Sequence, residues 1–139
     1  MNLNMIEKAN KILKSCKNAS FGVIDEDGFP SVSTISLIEP ENIMELYLST
    51  NLDGNKARRL QNNNKASLCC CIKDNNITLV GEAEVITDQE IKNRYWQDWF
   101  NEIYEGGKTD PNYAIIKFTT KRVSLWINWQ GDEFKVENS

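Results

Sequence analysis

The stretch Leu48-Ser49-Thr50-Asn51-Leu52-Asp53-Gly54-Asn55-Lys56-Ala57-Arg58-Arg59-Leu60 carries the chain from a strand into a helix. Over residues 43–49, Met44, Leu46 and Leu48 alternate with other residues, the two-residue period of a half-buried strand. Beyond Gly54 the period lengthens. Ala57 and Leu60 become the inward positions of a short helix over 54–62, which Asn51 or Asp53 is placed to cap. The junction sets the hydroxyls of Ser49 and Thr50 and the amide of Asn51 beside Lys56, Arg58 and Arg59. Cations at a helix start are locally unfavourable, because the macrodipole already places about half a positive charge there and each costs about 0.3 to 1 kcal/mol relative to an acidic residue. A bound dianion reverses that sign, since backbone amides, dipole and cations then all face one negative group. The alternative is a solvated basic helix start whose cations reach into water or to nearby carboxylates. The short hydrogen-bonding side chains at 49–51 favour the anion.

On the N-terminal side, Met5, Ile6, Ala9, Ile12, Leu13 and Cys16 recur at helical spacing and predict an amphipathic helix of about four turns. Residues 19–25 and 30–38, separated by Glu26-Asp27-Gly28, predict a β-hairpin. On the C-terminal side, strands are expected at 66–72 and 77–86, joined by a turn at Lys73-Asp74-Asn75-Asn76. Thr87-Asp88-Gln89-Glu90 has the form of a capping box. It opens a predicted helix with the apolar stripe Ile91, Tyr95, Trp96, Trp99, Phe100 and Ile103, stopped by Gly106-Gly107 and Pro111. Two last strands are expected at 113–119 and 122–129, followed by a polar tail. Strands in hairpin order, with three helices and no regular βαβ alternation, predict one domain over 1–139, an antiparallel barrel with peripheral helices. A doubly wound dinucleotide fold is disfavoured, and no G-x-G-x-x-G is present.

Composition narrows the chemistry. The net charge of −4 argues against general affinity for nucleic acid or anionic membrane. No run approaches the roughly 20 apolar residues of a membrane span, and residues 1–20 lack a signal-peptide apolar core, so a cytoplasmic location is expected. The chain contains no histidine, which removes Ser/His/Asp and Cys/His triads, His-ligated zinc and His-ligated haem. Cys16, Cys69, Cys70 and Cys71 match neither a zinc-ligand spacing nor a secreted disulfide framework, so no metal is expected. On a strand, Cys70 faces one way, packed as a small apolar residue, while Cys69 and Cys71 share the other side. Any catalysis is then expected to belong to a cofactor.

A second polar strip lies on the hairpin, where Ser31 and Ser33 project to one face and Thr34 and Ser36 to the other. Hydroxyls on both faces suit contacts to a planar heterocycle, and they suit a half-exposed sheet equally well. Element order and motif together resemble the FMN-binding split barrels of the pyridoxamine phosphate oxidase-like superfamily, most closely its general stress protein branch. The resemblance runs from Asp27-Gly28-Phe29-Pro30 through Trp126. In that family a segment of the type T-N-x-x-S-R-K-A-x-x-L holds the flavin phosphate, and here it reads Thr50 to Leu60, with Gly54 and Asn55 replacing serine and arginine.

The resemblance implies a mainly β (α+β) fold, an antiparallel split barrel of Greek-key type with peripheral helices. It implies FMN as cofactor, with Lys56 as the phosphate cation and Ser49, Thr50, Asn51 and Asn55 around it. The strand bearing Ser33, Thr34, Ile35 and Ser36 would lie along the flavin, Ser33 standing where the family often has an arginine. A homodimer is implied, with FMN at the subunit interface, Asn76 near a position that approaches it from the partner, and Trp126 at an aromatic position near the cofactor and the interface. Alternation puts Trp126 with Arg122 and Ser124, opposite Val123, Leu125, Ile127 and Trp129; a buried core tryptophan is the alternative reading. The implied function is that of an FMN-dependent oxidoreductase, using NAD(P)H or a small-molecule substrate, or else a non-catalytic, redox-sensing stress protein. A further possibility is that the groove takes another phosphate or a deazaflavin. No catalytic residue is assigned. The chain does not resemble a true pyridoxamine phosphate oxidase, because Ile38 stands at its substrate lysine and residues 124–139 lack its arginine and histidine.

Overall fold

The computed structural model describes residues 2–137. The first helix, α1 (Leu3–Lys14), starts where the Asn2 side chain accepts hydrogen bonds from the amides of Asn4 and Met5, and it buries Met5, Ala9 and Leu13. Next come β1 (Asn18–Ile24) and β2 (Pro30–Ser36), then β3 (Glu45–Asn51) and α2 (Asn55–Asn62), which buries Ala57 and Leu60. The hairpin of β4 (Lys65–Ile72) and β5 (Asn75–Ile86) follows, then a six-residue helix, α3 (Gln89–Arg94). Two short 3-10 turns, Asp98–Glu102 and Gly107–Thr109, lead to β6 (Tyr113–Ile127) and β7 (Gln130–Lys135).

The strands form one seven-stranded sheet in the order β2-β1-β4-β5-β6-β3, with β7 also paired to β6, and every pairing is antiparallel. One edge of β6 is shared end to end: its first half pairs with β3 and its second half with β7. The hydrogen-bonded path runs from β2 to β3 and does not close, so the expected antiparallel β architecture is present as an open sheet. Its inner face carries the main core, in which Met5, Ala9 and Leu13 of α1 belong to the same cluster as Phe21, Leu46, Leu48, Leu68, Leu79, Phe118 and Val123.

Four elements differ from the sequence reading. Residues 113–129 do not divide into two strands. Instead β6 runs unbroken through Thr119-Thr120-Lys121, and the register shifts between Val80 and Gly81 to absorb one extra residue. Glycine is required there because a Cβ on Gly81 would lie 2.1 Å from the Thr119 carbonyl oxygen. The expected polar tail forms β7, after a tight turn in which Asn128 and Trp129 take φ of 52° and 66°. Trp129 therefore leaves the inward set of Val123, Leu125 and Ile127 and stands exposed. Similarly, the turn of the β4–β5 hairpin is only Lys73-Asp74, so Asn75 and Asn76 belong to the strand.

The long helix expected over 91–103 is broken. Asp88, not Thr87, caps it by accepting from the Ile91 amide, and α3 ends at Arg94. Aromatic side chains have modest helix propensity, and here ring packing overrides it. Trp96, Phe100 and Tyr104 gather around Tyr113, with centroids 5.2, 5.8 and 4.9 Å from its ring. Meeting one target from three positions requires the extended backbone seen at Gln97 (φ −118°, ψ 140°). Buried Lys92 anchors the arrangement: its Nζ donates to the Asp110 carbonyl, and the Tyr113 hydroxyl donates to the Lys92 carbonyl.

Candidate functional site

The β3–α2 junction lies beside the β1–β2 hairpin, and two adjoining cavities meet there. The first, about 300 Å3, is lined by Val23, Ser31, Ser33, Thr50, Asn51, Gly54, Asn55, Lys56 and Arg59. A second, of about 240 Å3, adds Ile35, Ser36 and Ser49 from the strands and Trp99, Ile103 and Tyr104 from the aromatic segment. Thr50, Asn51 and Lys56 are common to both, so the two form one groove with a basic, hydroxyl-lined end and an aromatic end. Their sizes lie near the lower end of ordinary ligand sites, roughly 300 to 1,000 Å3.

Local bonding explains the basic end. The Asn112 carbonyl accepts from the Leu52 amide and its side-chain oxygen from the Asp53 amide, which fixes the loop before α2. Neither Asn51 nor Asp53 caps the helix, contrary to expectation. Gly54 holds the cap position and has no side chain to offer, so among the described residues the helix has no side-chain cap hydrogen bond. Lys56 is half-buried and has no hydrogen-bond or ion-pair partner among the described residues. The other two cations are not free. Arg58 pairs with Glu26 at 2.5 Å and Arg59 pairs with the same carboxylate oxygen at 3.2 Å. The guanidiniums of Arg58 and then Arg59 hold the Glu26 carboxyl down at about 2. Thus the alternative of cations reaching to carboxylates holds for two of the three residues and fails for Lys56.

At the aromatic end Trp99 and Ile103 are 48% and 46% exposed. These were expected on the apolar stripe of a helix; the broken helix turns them into the groove instead. Burial pushes the Tyr104 phenol up, and the Ser49 hydroxyl beside it offsets part of that rise.

Of the residues singled out from sequence, Ser33, Ile35, Ser36, Ser49, Thr50, Asn51, Asn55 and Lys56 line the groove. Thr34 does not line either cavity; it pairs with Ser20 of β1. Asn76 and Trp126 are paired neighbours on β5 and β6, away from the groove. Trp126 is 44% exposed and its ring rests on Gly131, which makes it a surface residue and excludes the core reading. Beside it, the Cys69 thiol donates to Asn76 Oδ1, the Asn76 amide donates to Thr78, and Thr78 donates back to the Cys69 sulfur. Cys70 is buried, Cys71 is exposed, and burial pushes the Cys70 thiol up. Gly54 and Arg59, which lie in the stretch read as the anion end, line the groove as well, whereas Trp99, Ile103 and Tyr104 were not read as site residues. The placement of these three depends on long-range packing that spacing does not report. Among the described residues no group of three or more His, Cys, Asp or Glu is arranged to hold a metal ion, and no helix is long and apolar enough to cross a membrane.

Sheet and groove define a class: a small antiparallel β-protein with an open groove, cationic at one end and aromatic at the other. More specifically, the chain belongs to the pyridoxamine 5'-phosphate oxidase family, whose sequence pattern matches residues 5–127. Solved structures agree. A Clostridium acetobutylicum protein related to general stress protein 26 of B. subtilis, of the pyridoxinephosphate oxidase family, is 25% identical with a TM-score of 0.85, covering 98% of this chain and 97% of that one. The general stress protein 26 of Bacillus anthracis is 19% identical, with a TM-score of 0.79 and coverage of 98% and 100%. A heme binding protein from Mycobacterium smegmatis shares the fold at 16% identity and a TM-score of 0.74, covering 94% of this chain and 57% of that one. Among curated proteins there is no significant match.

Proposed function

We propose that this chain is an FMN-binding flavoprotein acting as an FMN-dependent oxidoreductase, a homodimer with the cofactor between its subunits. The observation that carries the reading is the groove itself, where unpartnered Lys56, uncapped helix amides and the hydroxyls of Ser31, Ser33 and Thr50 end against Trp99, Ile103 and Tyr104. That donor set fits a phosphate at one end and an aromatic ring system at the other. Lys56 would neutralise the phosphate, Thr50 and Asn51 would orient it, and the strand Ser33 to Ser36 would hydrogen-bond a ring edge. When bound, FMN would supply the redox chemistry, with no protein nucleophile needed.

A second copy of the chain is the proposed cover for the outward sheet face, where Asn76 and Trp126 lie away from the groove of their own subunit. Pyridoxamine phosphate is not the proposed substrate, because Ile38 is a buried apolar residue in the aromatic core cluster. NAD(P)H or another small molecule takes that place, in a cytoplasmic setting. Haem is disfavoured because the chain contains no histidine to ligate it. A non-catalytic, redox-sensing role is the second reading. It is favoured by the aromatic end of the groove, where, among the described residues, the titratable side chains are Lys56 and a Tyr104 phenol pushed upward by burial.

The test is an absorbance spectrum of the isolated protein with mass analysis of the released ligand, followed by stopped-flow mixing with NADH or NADPH. FMN recovered and repeatedly reduced and reoxidised supports the enzyme. FMN without turnover supports the sensor, and protein that neither retains nor binds FMN overturns both.

A further inference from the structure

We propose that Arg59 is a second cation for the ligand phosphate, held toward the groove by Glu26 and Ser31, so that the site selects a phosphomonoester dianion. This rests on the FMN reading above and adds a residue that the sequence motif leaves unassigned.

Lys56 and Arg59 are three positions apart on α2, hence neighbours on one face, and both line the same cavity with Ser31, Ser33 and Thr50. Arg59 Nε donates to Glu26 Oε1 at 3.2 Å and Nη1 donates to Ser31 Oγ at 3.4 Å. These use two of the five N–H donors of a guanidinium, leaving three for a ligand. The partners also fix the side chain before a ligand arrives. Glu26 sits on a hairpin turn that is itself tied by the Asp25 side chain, which accepts from the amides of Asp27 and Phe29. A cation already positioned loses little rotamer freedom on binding.

Charge separates Arg59 from its neighbour. Arg58 is bonded to Asn55 and Glu26, its side chain is 52% exposed against 20% for Arg59, and it lines neither cavity. The charged side chains that line the cavity are Lys56 and Arg59, which together bring +2 to it, while Arg58 and Glu26 pair with one another outside the lining. A phosphomonoester near pH 7 carries about −1.5 to −2, so the basic end matches a terminal phosphate and exceeds the needs of an uncharged ligand.

The experiment titrates the full chain and its Arg59→Gln, Arg59→Lys and Arg58→Gln variants with FMN and with riboflavin, which has the ring without the phosphate, by flavin fluorescence. Circular dichroism and urea unfolding establish that each variant is folded. Arg59→Gln should weaken FMN binding roughly 10- to 100-fold while riboflavin stays within about twofold, because only the charge-assisted bond is lost. Arg59→Lys should recover part of the loss, and Arg58→Gln should leave FMN within about threefold. Equal FMN affinity in wild type and Arg59→Gln overturns the assignment, as does an equal loss for both flavins. A wild type that binds FMN and riboflavin equally tightly overturns it while leaving a flavin groove intact. Binding of neither flavin overturns this inference and the FMN reading together.

Discussion

Replacing Phe100 by alanine should loosen the aromatic wall of the groove while leaving the β-sheet folded. The ring is fully buried and packs edge-on against Trp96, Trp99, Tyr104 and Tyr113, at centroid distances of 5.4, 4.7, 6.0 and 5.8 Å. A buried Phe→Ala change costs about 3 to 5 kcal/mol, a figure that already contains the edge-to-face contacts of about 0.5 to 1.5 kcal/mol each. Against a total stability of about 5 to 15 kcal/mol, the variant should fold with a reduced margin. With an m-value of about 2 kcal/mol/M, the urea midpoint should fall by roughly 1.5 to 2.5 M. Urea unfolding followed by tryptophan fluorescence reads both the stability and the environment of Trp96 and Trp99. Riboflavin affinity should fall as well, since Trp99 and Ile103 lose the ring that holds their segment. A loss below about 1 kcal/mol with unchanged tryptophan emission would refute the idea that the ring cluster positions this wall.

Lys56→Ala removes a side chain without a hydrogen-bond or ion-pair partner among the described residues, so stability should change by no more than about 0.5 kcal/mol while FMN binding weakens by about 1.5 to 3 kcal/mol. Isothermal titration decides it, and equal affinity rejects Lys56 as the phosphate cation. For Glu26, the folded carboxyl titrates near 2, below its unfolded value of 4.5, so its pairing with Arg58 and Arg59 stabilises the fold above about pH 4.5 and is lost as pH falls toward 2. The stability gap between wild type and Glu26→Gln should close over that window in pH-dependent thermal melts; a gap that stays constant from pH 6 to pH 2 contradicts the pairing. Trp126→Ala should cost about 1 kcal/mol or less within a subunit, because the ring is partly exposed, yet shift the monomer–dimer equilibrium toward monomer in sedimentation experiments. An unchanged dimer would remove Trp126 from the interface.

The strands and the residues of the basic end of the groove were legible because their signals are local. Leu46 and Leu48 alternate over a few residues, and Thr50 through Lys56 lie within one short stretch that the fold keeps together. Residues 91–103 misled for a physical reason. Apolar residues at helical spacing also arise when Trp96, Phe100 and Tyr104 converge on Tyr113 from an irregular backbone, and the pattern carries no record of that distant target. Continuity of β6 through Thr119-Thr120-Lys121 was equally hidden, since the polar run reads as a turn until Gly81 is seen to leave room for the bulge. As an edge strand with one neighbour, β7 needs few inward apolar residues; Phe134 is the one that packs on the core. Arg59 was grouped with Arg58 and Lys56 as a cation at the helix start, and what separates it from Arg58, its bonds to Glu26 and Ser31 and its place in the cavity lining, depends on residues far away in sequence.

The most direct measurement is a crystal structure of the chain grown with FMN. The phosphate should lie within hydrogen-bonding distance of Lys56 Nζ, about 2.7 to 3.2 Å, with the ring system beside Trp99 and Tyr104. FMN found elsewhere, for instance in the acidic cavity lined by Glu39, Glu41 and Glu45, with Lys56 turned to solvent, would contradict the account.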